Sequence, residues 1–268
     1  MTALANIKVK IFADGADLDS MKAMYQNPLI KGFTTNPTLM RKDGVTDYES
    51  FARDVIKAIP DRPLSFEVFA DDESGMERQA LEIASWGSNV NVKIPVTNTK
   101  GKFMGDVIRR LSAAGVIVNV TAVMALDQVR RIADSLDEKT AAIVSVFAGR
   151  IADTGVDPLP VMTEAVDILK SKPKAELLWA SPRELLNIFH AEEIGCHIIT
   201  VTTGRSKAPA RRLWRYFSYS SSRLPVRRES RAPFPDEMPG PHFRPGSAPA
   251  VRASDSEVPE PPLRKSQG

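Results

Sequence analysis

The chain has 268 residues, 43% of them apolar, a formal charge of +3 and a single cysteine, which is enough for one large domain and excludes an intrachain disulfide and a cysteine-based metal site. Its opening stretch, MTALANIKVK, has no apolar run of secretory length, and no run anywhere approaches the roughly 18 residues of a membrane span, so a cytoplasmic location without a membrane partner is expected. The charge is uneven: residues 1–203 carry 23 basic against 27 acidic side chains (−4), whereas 204–268 carry 13 against 6 (+7) and 11 of the 20 prolines, so a folded domain over 1–203 and a basic, mostly disordered tail over 204–268 are expected.

Eight strand candidates begin near Ile7, Lys31, Leu64, Val90, Val116, Ala141, Ala175 and Cys196, with helix-period segments between them. Such alternation argues for parallel strands joined by crossover helices. Thr46 with Glu49 and Ser74 with Glu77 fit capping boxes, while Pro158 after Asp157 and Pro182 after Ser181 fit first-turn prolines. Seven helices are marked in this way; the eighth, due after strand eight, falls where the composition changes. The α/β pattern therefore predicts a (β/α)8 TIM barrel whose eighth helix and C-terminal segment are replaced by the tail. An open doubly wound sheet is less favoured, because FADGADLD and not a Gly-rich phosphate fingerprint follows the first strand.

Alternate residues of a barrel strand face the lumen, so period two assigns the faces. Val90, Val92 and Ile94 form the helix-facing set of strand four, which turns Asn91 and Lys93 inward. By the same rule Ser65, Glu67 and Phe69 face inward from strand three, Asn119 and Thr121 from strand five, and Asp14 ends strand one. Lys93, Glu67, Asp14, Thr121 and Asn119 thus converge at the C-terminal mouth, where barrel enzymes build their sites. A desolvated amine is a nucleophile able to attack a ketone, and Glu67 could offset its charge or relay a proton. The alternative is a structural Lys93 to Glu67 ion pair that closes the lumen.

A second group points to an anion. Strand seven runs through Ser181 into Pro182 and Arg183, where free N–H groups of a helix start would meet a guanidinium. Arg150, just beyond strand six, could supply a second fork to the same phosphate.

These segments resemble the transaldolase family, in particular its short barrel form related to fructose-6-phosphate aldolase, over about residues 7 to 202. FADGAD resembles the motif carrying the catalytic aspartate, here Asp14. GFTTNPTL resembles the second-strand signature, implying donor-substrate contacts from Thr34 and Asn36. VNVKIPVT looks like the Schiff-base strand with Lys93; SFEVFA supplies Glu67 and NVTAVM the water-positioning Thr121. The resemblance of SVFAGRIAD and WASPREL implies substrate and phosphate contacts from Ser145, Phe147, Arg150, Ser181 and Arg183, alongside Asn119. The aldolase branch has glutamine and tyrosine where this chain has Glu67 and Phe147, which favours transaldolase. The resemblance implies transfer of a dihydroxyacetone unit between sugar phosphates in the pentose phosphate pathway, with no metal or organic cofactor because the protonated imine is the electron sink.

The resemblance ends near Thr203, beyond which relatives carry an eighth barrel helix and a segment that packs on a neighbouring subunit. A homo-oligomer is what the resemblance implies, and the altered C-terminus departs from the family where that contact is made. The tail's arginines with Trp214, Tyr216, Phe217 and Tyr219 would suit a nucleic-acid-binding tail on an inactive barrel, yet no recognised motif accompanies them, so no nucleic-acid partner is expected. His190, His197 and His242 are too scattered for a metal site, and Cys196 reads as a small buried hydrophobe.

Overall fold

A computed structural model describes residues 7–202. The tail beyond, with the disorder and the missing eighth helix expected there, lies outside the described residues. Eight parallel strands close a barrel in sequence order: β1 (Lys10–Asp14), β2 (Ile30–Thr34), β3 (Leu64–Glu67), β4 (Val90–Pro95), β5 (Val118–Val123), β6 (Ala142–Val146), β7 (Ala175–Trp179) and β8 (Ile198–Thr202). Helices connect them: α1 (Leu18–Tyr25), α2 (Pro37–Lys42), α3 (Tyr48–Ala58), α4 (Glu73–Ala84), α5 (Gly105–Ala113), α6 (Leu126–Ser135), α7 (Ala148–Asp153), α8 (Pro158–Leu169) and α9 (Leu186–Glu193). The barrel expected from the alternation is therefore present. None of the described helices is long and apolar enough to cross a membrane.

Where strand starts differ from expectation, hydrogen bonding explains the difference. Lys8 and Val9 give their N–H groups to the Glu192 carboxylate at 2.8 Å each, so laddering begins only at Lys10, whose N–H reaches the His197 carbonyl. Val116 and Cys196 close helix ends instead, donating to the Leu111 and Ala191 carbonyls.

The caps need correcting. Aspartates one residue after and two residues before the hydroxyls of the motifs hold the N–H groups: Asp47 accepts from Ser50 and starts α3 in place of Thr46, and Asp72 accepts from Gly75 and starts α4 in place of Ser74. A carboxylate is also the better partner for the positive helix end. Asp157 does cap α8, with Pro158 in the first turn. Two short helices at the mouth, α2 and α7, carry no periodic pattern long enough to mark them.

Two apolar clusters hold the barrel. The larger lies between strands and helices, with Val90, Val92, Ile94, Val118, Val120 and Val144 on its strand side. A smaller one, made of Phe12, Ile143, Leu178, Ala180 and Ile198, with Phe147 against it, fills the lumen. The Phe12 ring fits because Gly32 faces it: a Cβ there would stand 2.5 Å from the ring. Near the N-terminal ends of β1 and β7, Lys10 and Glu176 form an ion pair at 2.6 Å.

Candidate active site

Lateral register brings the polar side chains to one level. Glu67 pairs across the sheet with Lys93, Lys93 with Asn119, Pro95 with Thr121, and Asp14 with both Thr34 and Thr202. Period two turns these positions inward, below or around a cavity of about 510 Å³ at the C-terminal mouth. Asp14, Thr34, Asn36, Glu67, Lys93, Thr121, Ser145, Phe147, Arg150 and Ser181 all line it.

Lys93 is 7% exposed. Its Nζ donates to the Thr35 carbonyl at 2.8 Å and lies 3.1 Å from the Glu67 carboxylate. An amine this deep in protein needs both partners, since stripping one from a buried pair typically costs about 3–5 kcal/mol. Asp14 receives hydrogen bonds from Thr34 Oγ1 at 2.7 Å and Asn36 Nδ2 at 3.5 Å. Burial pushes its carboxyl above the usual carboxylate range, while Lys93 and the Thr34 hydrogen bond pull the other way. A carboxyl so disposed is suited to taking up and returning a proton.

Asn36 has two tasks. While its Nδ2 faces Asp14, its Oδ1 accepts from the Leu39 N–H and caps α2, so the short helix over the mouth is tied to the carboxyl below.

Beside Lys93 runs a buried polar chain. Ser145 donates to Asn119 Oδ1 at 2.7 Å, and Asn119 Nδ2 donates to Ser65 at 3.1 Å. Asn119, 0% exposed, supports the cavity floor and is not among its lining residues. Just past Thr121 the β5–β6 register shifts, and Ala122 adopts φ 61°. Such a bulge re-aims the side chains beside it.

The only other non-glycine residue with positive φ among the described residues is Ser181, at 58°; left-handed backbone of this kind concentrates at functional sites. Its carbonyl presses against Gly149, where a Cβ would stand 1.6 Å away, so the segments AGR and ASPR meet only because residue 149 lacks a side chain.

Three expectations are corrected here. Ser181 does not cap a helix: α9 begins at Leu186, and the Arg183 and Glu184 N–H groups that were to be free are taken by Asn187 Oδ1 at 2.8 and 3.1 Å. Arg183 does not line the cavity either. Asp153 grips its guanidinium, Nε at 2.8 Å with a second bond from Nη2, while Nη1 buttresses the Ser181 carbonyl at 2.9 Å. Arg150 is the guanidinium left at the rim, 4.0 Å from Asp153. Phe69, assigned to the lumen, lies past the end of β3 and is 53% exposed, packed on Tyr48.

The structure adds groups that sequence reasoning missed. Leu178, Ala180 and Thr200 line the cavity from β7 and β8 and the start of the loop after β7, and Pro37, Thr38 and Leu39 line it from α2. Period two applied to β7 and β8 would have found Leu178 and Thr200; no side-chain signal marks the Thr35 carbonyl. Among the described residues no group of three His, Cys, Asp or Glu side chains could hold a metal ion.

Comparison with known proteins bears on the fold and the family. The barrel resembles orotidine 5′-monophosphate decarboxylase from Metallosphaera sedula, with a TM-score of 0.51 at 12% identity over 79% of this chain and 97% of that one, a likeness of fold alone. A "Probable transaldolase" of Dehalococcoides mccartyi is 35% identical over 194 residues, 72% of this chain and 86% of that protein. Another of the same name, from Nitrosopumilus maritimus, is 35% identical over 198 residues, 73% and 85% of the two chains. Residues 11–208 match the model of the family described as Transaldolase/Fructose-6-phosphate aldolase, and the chain belongs to that family.

Proposed function

We propose that the chain is a transaldolase, moving a dihydroxyacetone unit from a ketose phosphate such as fructose 6-phosphate or sedoheptulose 7-phosphate to an aldose phosphate, as in the pentose phosphate pathway. The observation that carries this is the buried Lys93 amine at the floor of a mouth cavity, within 3.1 Å of Glu67 and beside Asp14.

In this scheme the neutral Lys93 amine attacks the donor ketone, its former ammonium proton passing to Glu67. The carbinolamine loses water to give a protonated imine, with Glu67 acting through a water held by Thr121. Asp14 takes the proton of the C4 hydroxyl, and the C3–C4 bond breaks. Its electron pair moves into the imine, leaving an enamine on Lys93 and releasing an aldose phosphate. An incoming aldehyde accepts those electrons, Asp14 returns the proton to the new hydroxyl, and hydrolysis frees the product and the amine. Thr34, Asn36, Asn119 and Ser145 contact the three-carbon unit or steady those that do, and Phe147 packs on its apolar face. Arg150 and Ser181 bind the phosphate, with Arg183 holding the Ser181 turn in place.

An aldolase releasing free dihydroxyacetone would use the same lysine. Glu67 and Phe147, in positions where the aldolase branch of the family carries glutamine and tyrosine, favour transfer over release. The test is borohydride trapping with fructose 6-phosphate, peptide mass spectrometry of the adduct and a Lys93→Ala control. An adduct confined to Lys93 is expected. A folded protein that gives none would refute the mechanism, and free dihydroxyacetone accumulating without an acceptor would assign the aldolase reaction instead.

A further inference from the structure

The ladder between β2 and β3 stops one rung short. Phe33 N–H reaches the Pro63 carbonyl at 2.8 Å and Thr35 N–H reaches the Ser65 carbonyl at 3.0 Å. The next acceptor in that series is the Glu67 carbonyl. The matching donor would be residue 37, which is Pro37, the first residue of α2, and proline has no N–H. The Tyr48 hydroxyl, arriving from the first turn of α3, donates to the Glu67 carbonyl at 2.9 Å.

We propose that Tyr48 is a positioning residue for the reaction: its hydroxyl replaces the rung that Pro37 cannot supply and holds the end of β3 so that the Glu67 carboxylate meets Lys93. Tyr48 is well placed to do this. Its ring packs edge-on against Phe66, Phe69 and Trp86, with centroids 6.2, 4.9 and 5.4 Å away, and Asp47 caps its helix. Burial raises the phenol well above its ordinary range, so it remains a donor at any working pH. The held segment is short. Beyond Glu67, Val68 N–H bonds the Lys93 carbonyl at 3.2 Å, and Phe69 already faces outward, so a loosened Glu67 carbonyl lets the strand end, its carboxylate included, drift from the amine. Misplacement of a catalytic group by about 1 Å is enough to slow chemistry substantially.

The inference rests on the role proposed for Lys93 and Glu67, and a Tyr48→Phe variant tests it in two separable ways. Native-state hydrogen exchange needs no activity: the Val68 amide should exchange about tenfold faster in the variant while Val120 on β5 keeps its wild-type rate. Unchanged exchange at Val68 would overturn the proposal whatever the enzyme does. The second arm follows the rate of borohydride-trapped adduct formation from fructose 6-phosphate as a function of pH. We expect a fall of about tenfold with a displaced pH profile and a nearly unchanged KM. A Phe69→Leu control, which trims the packing on Tyr48 but keeps its hydroxyl, should leave the profile in place. A Tyr48→Phe enzyme with wild-type rate, or one slowed with no change of profile and matched by Phe69→Leu, would reduce Tyr48 to ordinary packing. Absence of any adduct in wild type would count against the lysine chemistry, and the exchange arm would still decide what Tyr48 holds.

Discussion

Replacing Gly149 with alanine should separate phosphate binding from the rest of the site. An alanine Cβ would stand 1.6 Å from the Ser181 carbonyl oxygen and 2.7 Å from its carbon. Real Cβ contacts essentially never fall below 3.0 Å, so the two backbones must part by about 1.4 Å. Both are backbone, and the Ser181 carbonyl is also braced by Arg183 Nη1, so no side-chain rotation relieves the clash. Overpacking of this kind costs about 1–3 kcal/mol, which lowers Tm by several degrees in a domain of this size at roughly 2–4 °C per kcal/mol. A displacement above 1 Å at a substrate-holding turn is worth on the order of 100-fold in kcat/KM. The assay is kcat/KM for fructose 6-phosphate and for unphosphorylated fructose, with thermal unfolding in parallel. Most of the loss should fall on the phosphorylated donor. A Gly149→Ala enzyme with wild-type Tm and wild-type kcat/KM would refute the argument, and equal losses on both donors would show that the Ser181 turn does not bind phosphate.

Asp14→Asn should abolish turnover and yet stabilise the fold near neutral pH. Because burial raises the folded-state pKa of Asp14, its contribution to stability is complete below the unfolded value of about 4 and is lost as pH rises through the folded value. The advantage of the asparagine variant should therefore disappear below about pH 4, as urea unfolding across pH would reveal; a variant less stable than wild type at pH 7 contradicts this. Arg150→Ala should raise KM for phosphorylated donors by about 10–100-fold, the effect of losing a charge-assisted hydrogen bond. Arg183→Ala should act mainly by loosening the Ser181 turn, with a smaller change in KM, and steady-state kinetics showing the reverse order would exchange their roles.

Much of the site was legible because the lumen enforces a two-residue period. In β4 the valines and Ile94 fill the outer face, so the intervening Lys93 had only one place to go, and its burial beside Glu67 followed. The method failed where the strand had ended. Phe69 kept the parity of Glu67 but lay beyond the last rung, so parity no longer predicted direction. Arg183 was misjudged for another reason: its motif contains a cation and a turn, while the anion that occupies the cation, Asp153, sits 30 residues earlier and is joined to it only by the fold. Capping aspartates at 47 and 72 were passed over for nearby hydroxyls, a choice between adjacent acceptors that sequence spacing does not resolve. Pro37 illustrates the opposite case. Its significance is a bond it cannot make, visible only once the rungs on either side are known.

The apolar plug of Phe12, Ile143, Leu178 and Ile198 fills the lumen, and through Leu178 it meets the cavity at the C-terminal mouth. If the proposed transfer between sugar phosphates holds, a filled lumen leaves them the mouth as their route in and out. In the reaction proposed above, the released aldose would leave by the route its replacement takes to enter, with the three-carbon unit held on Lys93 in between. A barrel open at both ends would let the two pass in file. With the lumen filled, both exchanges of the proposed reaction fall at one end of the barrel, the end that carries Lys93.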